Sequence, residues 1–264
     1  MTDSAQQDLP PLPTLGTVTR RVPPGGARRM WQEGEVVGVR DETPRARSFQ
    51  LWLPEGYPHV PGQHYVVRVT ADDGSQAERS YSVASAPDPE PGPGTHIELT
   101  VERLDDGAVS PFIHDNVRVG DRLEVRGPFG GWFVWRGDTP ALLVGGGSGV
   151  VPLMAMLRYW RRQGRRVPLA LVVSTRTPED LYFKDEYGPE STILYTRTAP
   201  AGTSRPPGRI DAEALAPLVS QPVPAEAVAY VCGSPGFAEA ASQLLVAVGV
   251  ERTTVRVERF GPSG

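Results

Sequence analysis

The chain of 264 residues carries 27 Lys and Arg against 31 Asp and Glu, a formal net charge of -4, with an ordinary apolar share of 39%. That length suits two domains, each able to bury its own core, and the acidic balance argues against a protein that neutralises nucleic-acid phosphates. One cysteine, Cys232, excludes an internal disulfide framework and a four-cysteine iron–sulfur cluster held by this chain, and four histidines without i,i+4 or Cys/His spacing give no expected metal site.

Residues 1–29 are rich in Pro, Gly, Gln and Arg with little apolar periodicity, the composition of a disordered leader. No run reaches the length of a membrane-spanning helix, and no positive segment followed by an apolar one opens the chain, so the expectation is a cytoplasmic protein that does not enter a membrane. Up to Trp135 the chain reads as short strands between Pro-, Gly- and Asp-rich breaks: Gly34–Arg40, Arg47–Leu53, His64–Thr70, Arg79–Ala84, His96–Arg103 and Arg122–Arg126. One helix is expected near Ser110–Asn116. Closely spaced strands with a single helical insertion predict a small antiparallel β-barrel.

Beyond Trp135 the pattern changes. Ala141–Val144 is a continuous apolar run suited to a strand buried on both faces, and Val150–Gln163 follows with helical periodicity. Leu169–Ser174, Ser191–Thr196, Ala227–Cys232 and Thr254–Glu258 read as further strands, with helices over Asp211–Val219 and Pro235–Val248. This predicts a parallel α/β domain whose ligand lies at the strand carboxyl ends. With the boundary near Arg136–Pro140, the domains are 30–136 and 137–264.

Two segments stand out for chemistry. Arg79-Ser80-Tyr81-Ser82 leaves a strand in the first half, and Gly145-Gly146-Gly147-Ser148-Gly149 joins an apolar strand to a helix in the second. Taken singly, the first also describes an exposed strand and the second a tight turn, since glycine clusters often serve only backbone geometry. In this order they describe two phosphate-bearing cofactors held end to end. A guanidinium at Arg79 can pair with a phosphate, and Tyr81, one alternation along the same strand face, can lay its ring against a planar cofactor.

These segments, with Cys232-Gly233 and the terminal Val257-Glu258-Arg259-Phe260, occur in the order found in the ferredoxin–NADP reductase superfamily of flavoprotein oxidoreductases, which the chain resembles from about Trp31 onward. The resemblance implies that Arg79, Ser80, Tyr81, Ser82 and Val83 bind FAD, with Ser82 donating toward the flavin N5 edge. Gly107, Val109 and Ser110, at the start of the barrel helix, would receive the pyrophosphate on free N–H groups; an ordinary N-cap by Ser110 is compatible with that role. The run Ser82 to Pro87 looks like members that take FAD rather than FMN. Phe260 would cover the flavin face, although it stands where plant-type members have Tyr and is followed by four more residues.

In the second domain the resemblance assigns Gly146, Gly147, Ser148 and Gly149 to the nicotinamide-nucleotide pyrophosphate and Cys232 with Gly233 to the nicotinamide ring. Glu258 joins Ser82 and Cys232 as a residue that orients the reacting rings. Thr196-Arg197, with Arg176 at the end of the preceding strand, resembles the pair that grips a 2′-phosphate, so NADPH is favoured over NADH. The expected activity is that of an NAD(P)H-dependent flavoprotein reductase passing electrons to a separate carrier, first a ferredoxin serving an oxygenase. Free flavin, a ferric chelate or a flavodoxin are alternative acceptors, and a flavin-binding scaffold without catalysis is the non-enzymatic alternative. Arg158, Arg161, Arg162, Arg165 and Arg166 follow the glycine turn at helical spacing, which predicts a solvated basic face or a guide for an acidic ferredoxin.

Overall fold

The computed structural model describes residues 30–71, 73–89, 94–220 and 227–260. The expectations for residues 1–29 and for the four residues after Phe260 lie outside them. Strands β1 (Gln32–Thr43), β2 (Ala46–Leu53), β3 (His64–Thr70), β4 (Gln76–Ser82), β5 (Thr95–Glu102) and β6 (Arg122–Phe129) form one antiparallel sheet in the order β4-β3-β6-β1-β2-β5. Alternation drives it: the first six residues of β1 are buried and exposed in turn, which sends Val36 inward beside Phe49, Leu51, Tyr65, Ile97 and Val125. A bridge between Val83 and Leu99, and the Ala84 N–H donating to the Glu98 carbonyl at 2.7 Å, join the two sheet edges into a barrel. Helix α1 (Val109–Asn116) adds Val109 and Ile113 to the barrel core.

The second sheet is parallel, in the order β11-β10-β7-β8-β9. It is built from β7 (Ala141–Gly146), β8 (Leu169–Thr175), β9 (Ser191–Tyr195), β10 (Val228–Gly233) and β11 (Val255–Arg259), with helices α2 (Val150–Arg162), α3 (Ala212–Ser220) and α4 (Pro235–Ala247) between them. Every residue of β8 is buried, as a strand covered on both faces requires. Period two divides the apolar side chains between two layers. Leu143, Leu171, Val173 and Tyr230 face Leu153, Met154 and Leu157 of α2, while Leu142, Val144, Val172 and Val231 face Leu215, Ala238, Ala241 and Leu245 of α3 and α4. The expected succession of an antiparallel barrel and a parallel α/β domain is the one the chain forms.

Two local expectations are corrected. Strand β1 runs on to Thr43 because its hairpin with β2 continues through register shifts at Val36/Gly38 and Asp41/Thr43, where the polar run Arg40-Asp41-Glu42 carries no alternation to announce it. Helix α2 ends at Arg162: Gly164 (φ 76°) and Arg165 (φ 56°) turn the backbone into the left-handed region, so Arg165 and Arg166 do not extend the arginine face.

Candidate functional site

Strand β7 is followed in sequence by α2 and β8 on one side of the sheet, and it pairs with β10 on the other. The crevice between the carboxyl ends of β7 and β10 is therefore the point where the winding reverses, the usual ligand position in such sheets. Both glycine-bearing segments end there. Gly147 takes φ 56°, turning the chain from β7 into a short 3-10 turn, Gly147–Gly149, that leads into α2. A Cβ on Gly149 would collide with the Cys232 carbonyl, and one on Gly146 would stand 2.7 Å from the Phe237 ring. These glycines let the turn and the end of β10 touch through backbone alone, while a Cβ on Gly147 would meet nothing within 4 Å.

Cys232 is fully buried and Glu258 is its register partner on β11. Burial pushes the Glu258 carboxyl up to about 7, and burial first, then the Glu258 charge, drives the Cys232 thiol well above its ordinary value. Glu258 thus changes protonation near neutrality, whereas Cys232 stays a neutral thiol. Phe260 donates its N–H to the Gly233 carbonyl at 2.9 Å and packs its ring against the α2-side core, so Gly233, Cys232, Glu258 and Phe260 lie together.

On the barrel, β4 displays Arg79 and Ser80 to solvent, while Tyr81 is half-buried against the core. Among the described residues the Arg79 side chain donates to the Glu78 carbonyl, at 2.8 Å. Ser82 is buried at the strand end, and its Oγ has no hydrogen-bond partner among the described residues. A buried hydroxyl left in that condition is costly unless a ligand takes it up, and it fits the donor expected at a flavin edge. Val83 is fully buried, its N–H donating to the Gln63 carbonyl at 2.9 Å, which fixes the strand end.

Gly107, Val109 and Ser110 begin α1, but not as an N-cap by Ser110. Ala108 is the cap residue and makes no side-chain bond, while Ser110 lies in the first turn and its Oγ accepts the Leu104 N–H at 3.1 Å. The hydroxyl holds the preceding loop closed because the helix begins two residues earlier than capping by Ser110 requires. At the other end of the site, Arg176 and Arg197 are exposed just beyond β8 and β9, and the Arg197 N–H donates to the Arg176 carbonyl at 3.0 Å. The Thr196 N–H donates to the Thr175 carbonyl at 2.8 Å, which completes the local ladder.

The two domains meet where Arg158 of α2 reaches the barrel. Its Nη1 donates to the Ala84 carbonyl at 2.9 Å and to Glu98 Oε1 at 2.8 Å, and its Nε donates to Glu186 Oε2 at 2.8 Å. Arg162, one turn on, donates to the Pro87 carbonyl, and Arg161 pairs with the buried Glu190. Arg158 is therefore committed to the barrel and Arg161 to Glu190, while Arg162 stays exposed, so the expectation of one continuous solvated or ferredoxin-guiding face is corrected at Arg158.

Sequence reading also passed over three neighbours of the site. His64 lies directly opposite Ser82 in the β3–β4 ladder, and burial pushes its imidazole below the ordinary value. Gln63 is buried, accepting the Val60 N–H and donating to the Gly130 carbonyl, both at 2.8 Å. Glu42 accepts the N–H of Phe183, a buried residue in the left-handed region at φ 53°, at 3.0 Å. No local pattern announces any of these, since each depends on strand register or on contact between domains. No group of three or more His, Cys, Asp or Glu among the described residues is placed to hold a metal ion, and no described helix is long and apolar enough to cross a membrane.

Comparison with known proteins bears on the family and the fold. The family model for an oxidoreductase FAD-binding domain matches residues 36–134, and that for an oxidoreductase NAD-binding domain matches residues 143–243. The chain is 29% identical over 217 residues to the reductase component of propane 2-monooxygenase from Rhodococcus jostii, covering 78% of this chain and 57% of that relative. It is 26% identical over 242 residues to the ferredoxin–NAD(P)+ reductase component of the naphthalene 1,2-dioxygenase/salicylate 5-hydroxylase systems of a Ralstonia species, covering 88% and 70% respectively. The flavohemoglobin-like FAD/NAD-binding domain of nitric oxide dioxygenase from Vibrio cholerae shares the fold, with a TM-score of 0.75 at 23% identity, over 88% of this chain and 99% of that one. The chain thus spans little more than half of the propane monooxygenase relative.

Proposed function

The chain belongs to the ferredoxin–NADP reductase superfamily of flavoprotein oxidoreductases, and from that premise we propose that it takes electrons from NADPH, or NADH, through FAD to a separate one-electron carrier. The observation that carries this reading is a juxtaposition. Helix α2, which starts at the glycine turn, donates through Arg158 and Arg162 to the carbonyls of Ala84 and Pro87, in the run that follows Ser82. The helix that begins at the expected nucleotide turn is therefore tied to the run that follows the expected flavin strand.

When bound, FAD supplies the acceptor for a hydride, a proton with two electrons, from the reduced nicotinamide and returns the electrons singly. The protein's part is orientation. Arg79 holds a flavin phosphate and Tyr81 lies along the ring system, with Ser80 and Val83 shaping the strand around them. Ser82, whose hydroxyl has no partner among the described residues, would donate toward the flavin edge. Gly107, Val109 and Ser110 present the start of α1 to the pyrophosphate. In the second domain Gly146, Gly147, Ser148 and Gly149 admit the nucleotide pyrophosphate to backbone N–H groups at the start of α2, and Cys232 with Gly233 forms the wall beside the nicotinamide. Glu258 holds or releases a proton near neutral pH, and Phe260 excludes water from the ring face. Arg176, Thr196 and Arg197 receive the adenosine end, where the charge of two exposed arginines at adjacent strand ends favours a 2′-phosphate and hence NADPH.

The carrier in this reading is a ferredoxin of an oxygenase system, in keeping with the systems to which the relatives belong. One cysteine cannot hold an iron–sulfur cluster, so the cluster lies outside these 264 residues. A cytoplasmic setting belongs to the same proposal, since the reductant comes from the cell's nicotinamide pool, and the two functional units are residues 30–136 and 137–264. The test is a visible spectrum of the purified protein followed by anaerobic addition of NADPH or NADH. Flavin bands that bleach with the nucleotide, and recover on adding an oxidised ferredoxin, are the expected result. A colourless protein that FAD does not reconstitute would overturn the reading.

A further inference from the structure

We propose that Arg158 is a positioning residue that sets the separation of the two cofactor segments, and so governs the rate of hydride transfer while leaving cofactor binding in place. The inference rests on the reductase reading above and deepens it.

The guanidinium is mostly buried, its side chain 17% exposed, and it joins three elements at once. It donates to the Ala84 carbonyl, two residues from Ser82, and to Glu98 of β5. Its Nε and Nη2 form a fork on the two oxygens of Glu186, in the segment after β8, and its carbon centre lies 5.0 Å from the Phe183 ring. Burial alone would weaken the charge, but hydrogen bonding to Glu186 and the fields of Glu98 and Glu186 outweigh it and raise the pKa. The carboxylates have further ties to the barrel. Arg40 lies 3.6 Å from Glu98 and 3.9 Å from Glu186 and pairs with Glu42 at 2.6 Å.

Arg158 sits on the helix that begins directly after Gly149, and a helix transmits position rigidly at about 1.5 Å per residue. A shift of α2 against Ala84 therefore moves the nicotinamide turn relative to Ser82. Arginine suits the task because its planar fork holds a carbonyl and two carboxylates in fixed directions, which the single ammonium of lysine does not. Its removal also leaves Glu98 and Glu186 facing each other with less compensating charge, and those elements then move apart. Misplacement of reacting groups by about 1 Å costs up to roughly a hundredfold in rate.

The experiment compares wild type, Arg158→Lys, Arg158→Met and the double variant Arg158→Met/Glu98→Gln, which removes both charges should the single Met variant fail to fold. Anaerobic stopped-flow mixing with NADPH and with NADH yields the limiting rate of flavin reduction and the nucleotide concentration at half-saturation. The Met variants should lose about tenfold or more in limiting rate, with FAD content unchanged, half-saturation within about twofold and Lys intermediate. A second readout needs no turnover: hydrogen exchange of the FAD-free proteins should quicken at residues 84–87 and 183–187 and stay unchanged at 49–53. A wild-type limiting rate in folded, FAD-replete Lys and Met variants overturns the proposal. So does loss of FAD with an unaltered rate per bound flavin, which marks a purely structural residue. Failure of wild type to be reduced by either nucleotide overturns the reductase reading instead, and hydrogen exchange then decides whether Arg158 holds the junction.

Discussion

Glu258 stands opposite Cys232 in the parallel register of β11 and β10, and burial holds its carboxyl at about 7 against an ordinary 4.5. The folded protein therefore keeps this proton to higher pH than the unfolded chain does. The associated stability is present below about pH 4.5 and is lost as pH rises through about 7. Glu258→Gln is neutral throughout, so its stability relative to wild type should increase between those limits. At about 1.4 kcal/mol per pKa unit the gain is on the order of 3 kcal/mol. Urea denaturation of both proteins at acid and alkaline ends of the window measures it, and a pH-independent difference would contradict the burial argument.

Ser82→Ala should separate stability from cofactor handling. Its Oγ is buried without a partner among the described residues, and an unsatisfied polar group costs about 1–3 kcal/mol. Thermal melting of the FAD-free variant should accordingly be equal to or above that of wild type. The FAD-loaded variant should reduce more slowly with nicotinamide nucleotide. Destabilisation of the FAD-free variant would show that the hydroxyl serves the fold.

Arg79→Ala addresses the phosphate end. The side chain is exposed and, among the described residues, bonds to the neighbouring Glu78 carbonyl alone, so the fold should tolerate its loss within about 0.5 kcal/mol. Affinity for FAD should fall by about 1.5–3 kcal/mol, roughly ten- to a hundredfold. Tyr81→Ala should instead move the flavin spectrum and potential more than affinity. Titration of FAD-free protein with FAD, followed by redox titration, distinguishes the two, and unchanged affinity in folded Arg79→Ala removes Arg79 from the flavin site.

Arg197→Ala addresses nucleotide choice. Arg197 and Arg176 are exposed at adjacent strand ends and linked through the backbone. Losing one charged hydrogen bond to a 2′-phosphate should raise the KM for NADPH about tenfold or more and leave that for NADH unchanged. Equal weakening of both would place Arg197 on the shared pyrophosphate or in the fold. Exclusive use of NADH by wild type would end the preference for NADPH.

The architecture was legible because its signals are local. Alternation over β1 and the unbroken apolar run of β7 follow from how successive side chains point, and each of the expected helices begins within two residues of its observed start. The glycine turn was legible as a turn. Its demand for glycine came from elsewhere, since Gly149 abuts the Cys232 carbonyl and Gly146 the Phe237 ring, contacts formed by sheet order.

Arg158 shows where sequence reading stops. Its spacing with Arg161 and Arg162 determined correctly that they share one side of a helix, but spacing carries no information about what lies opposite. The partners Ala84 and Glu98 are 74 and 60 residues away, and Phe183 meets Glu42 across 141. Short-range sterics determine strand, helix and turn from the sequence itself, because neighbouring residues set the allowed backbone. Register and domain contact are decided only in the tertiary structure, where burial sets the protonation of Glu258, leaves Ser82 without a partner among the described residues and converts an apparently solvated arginine into a tie between two domains.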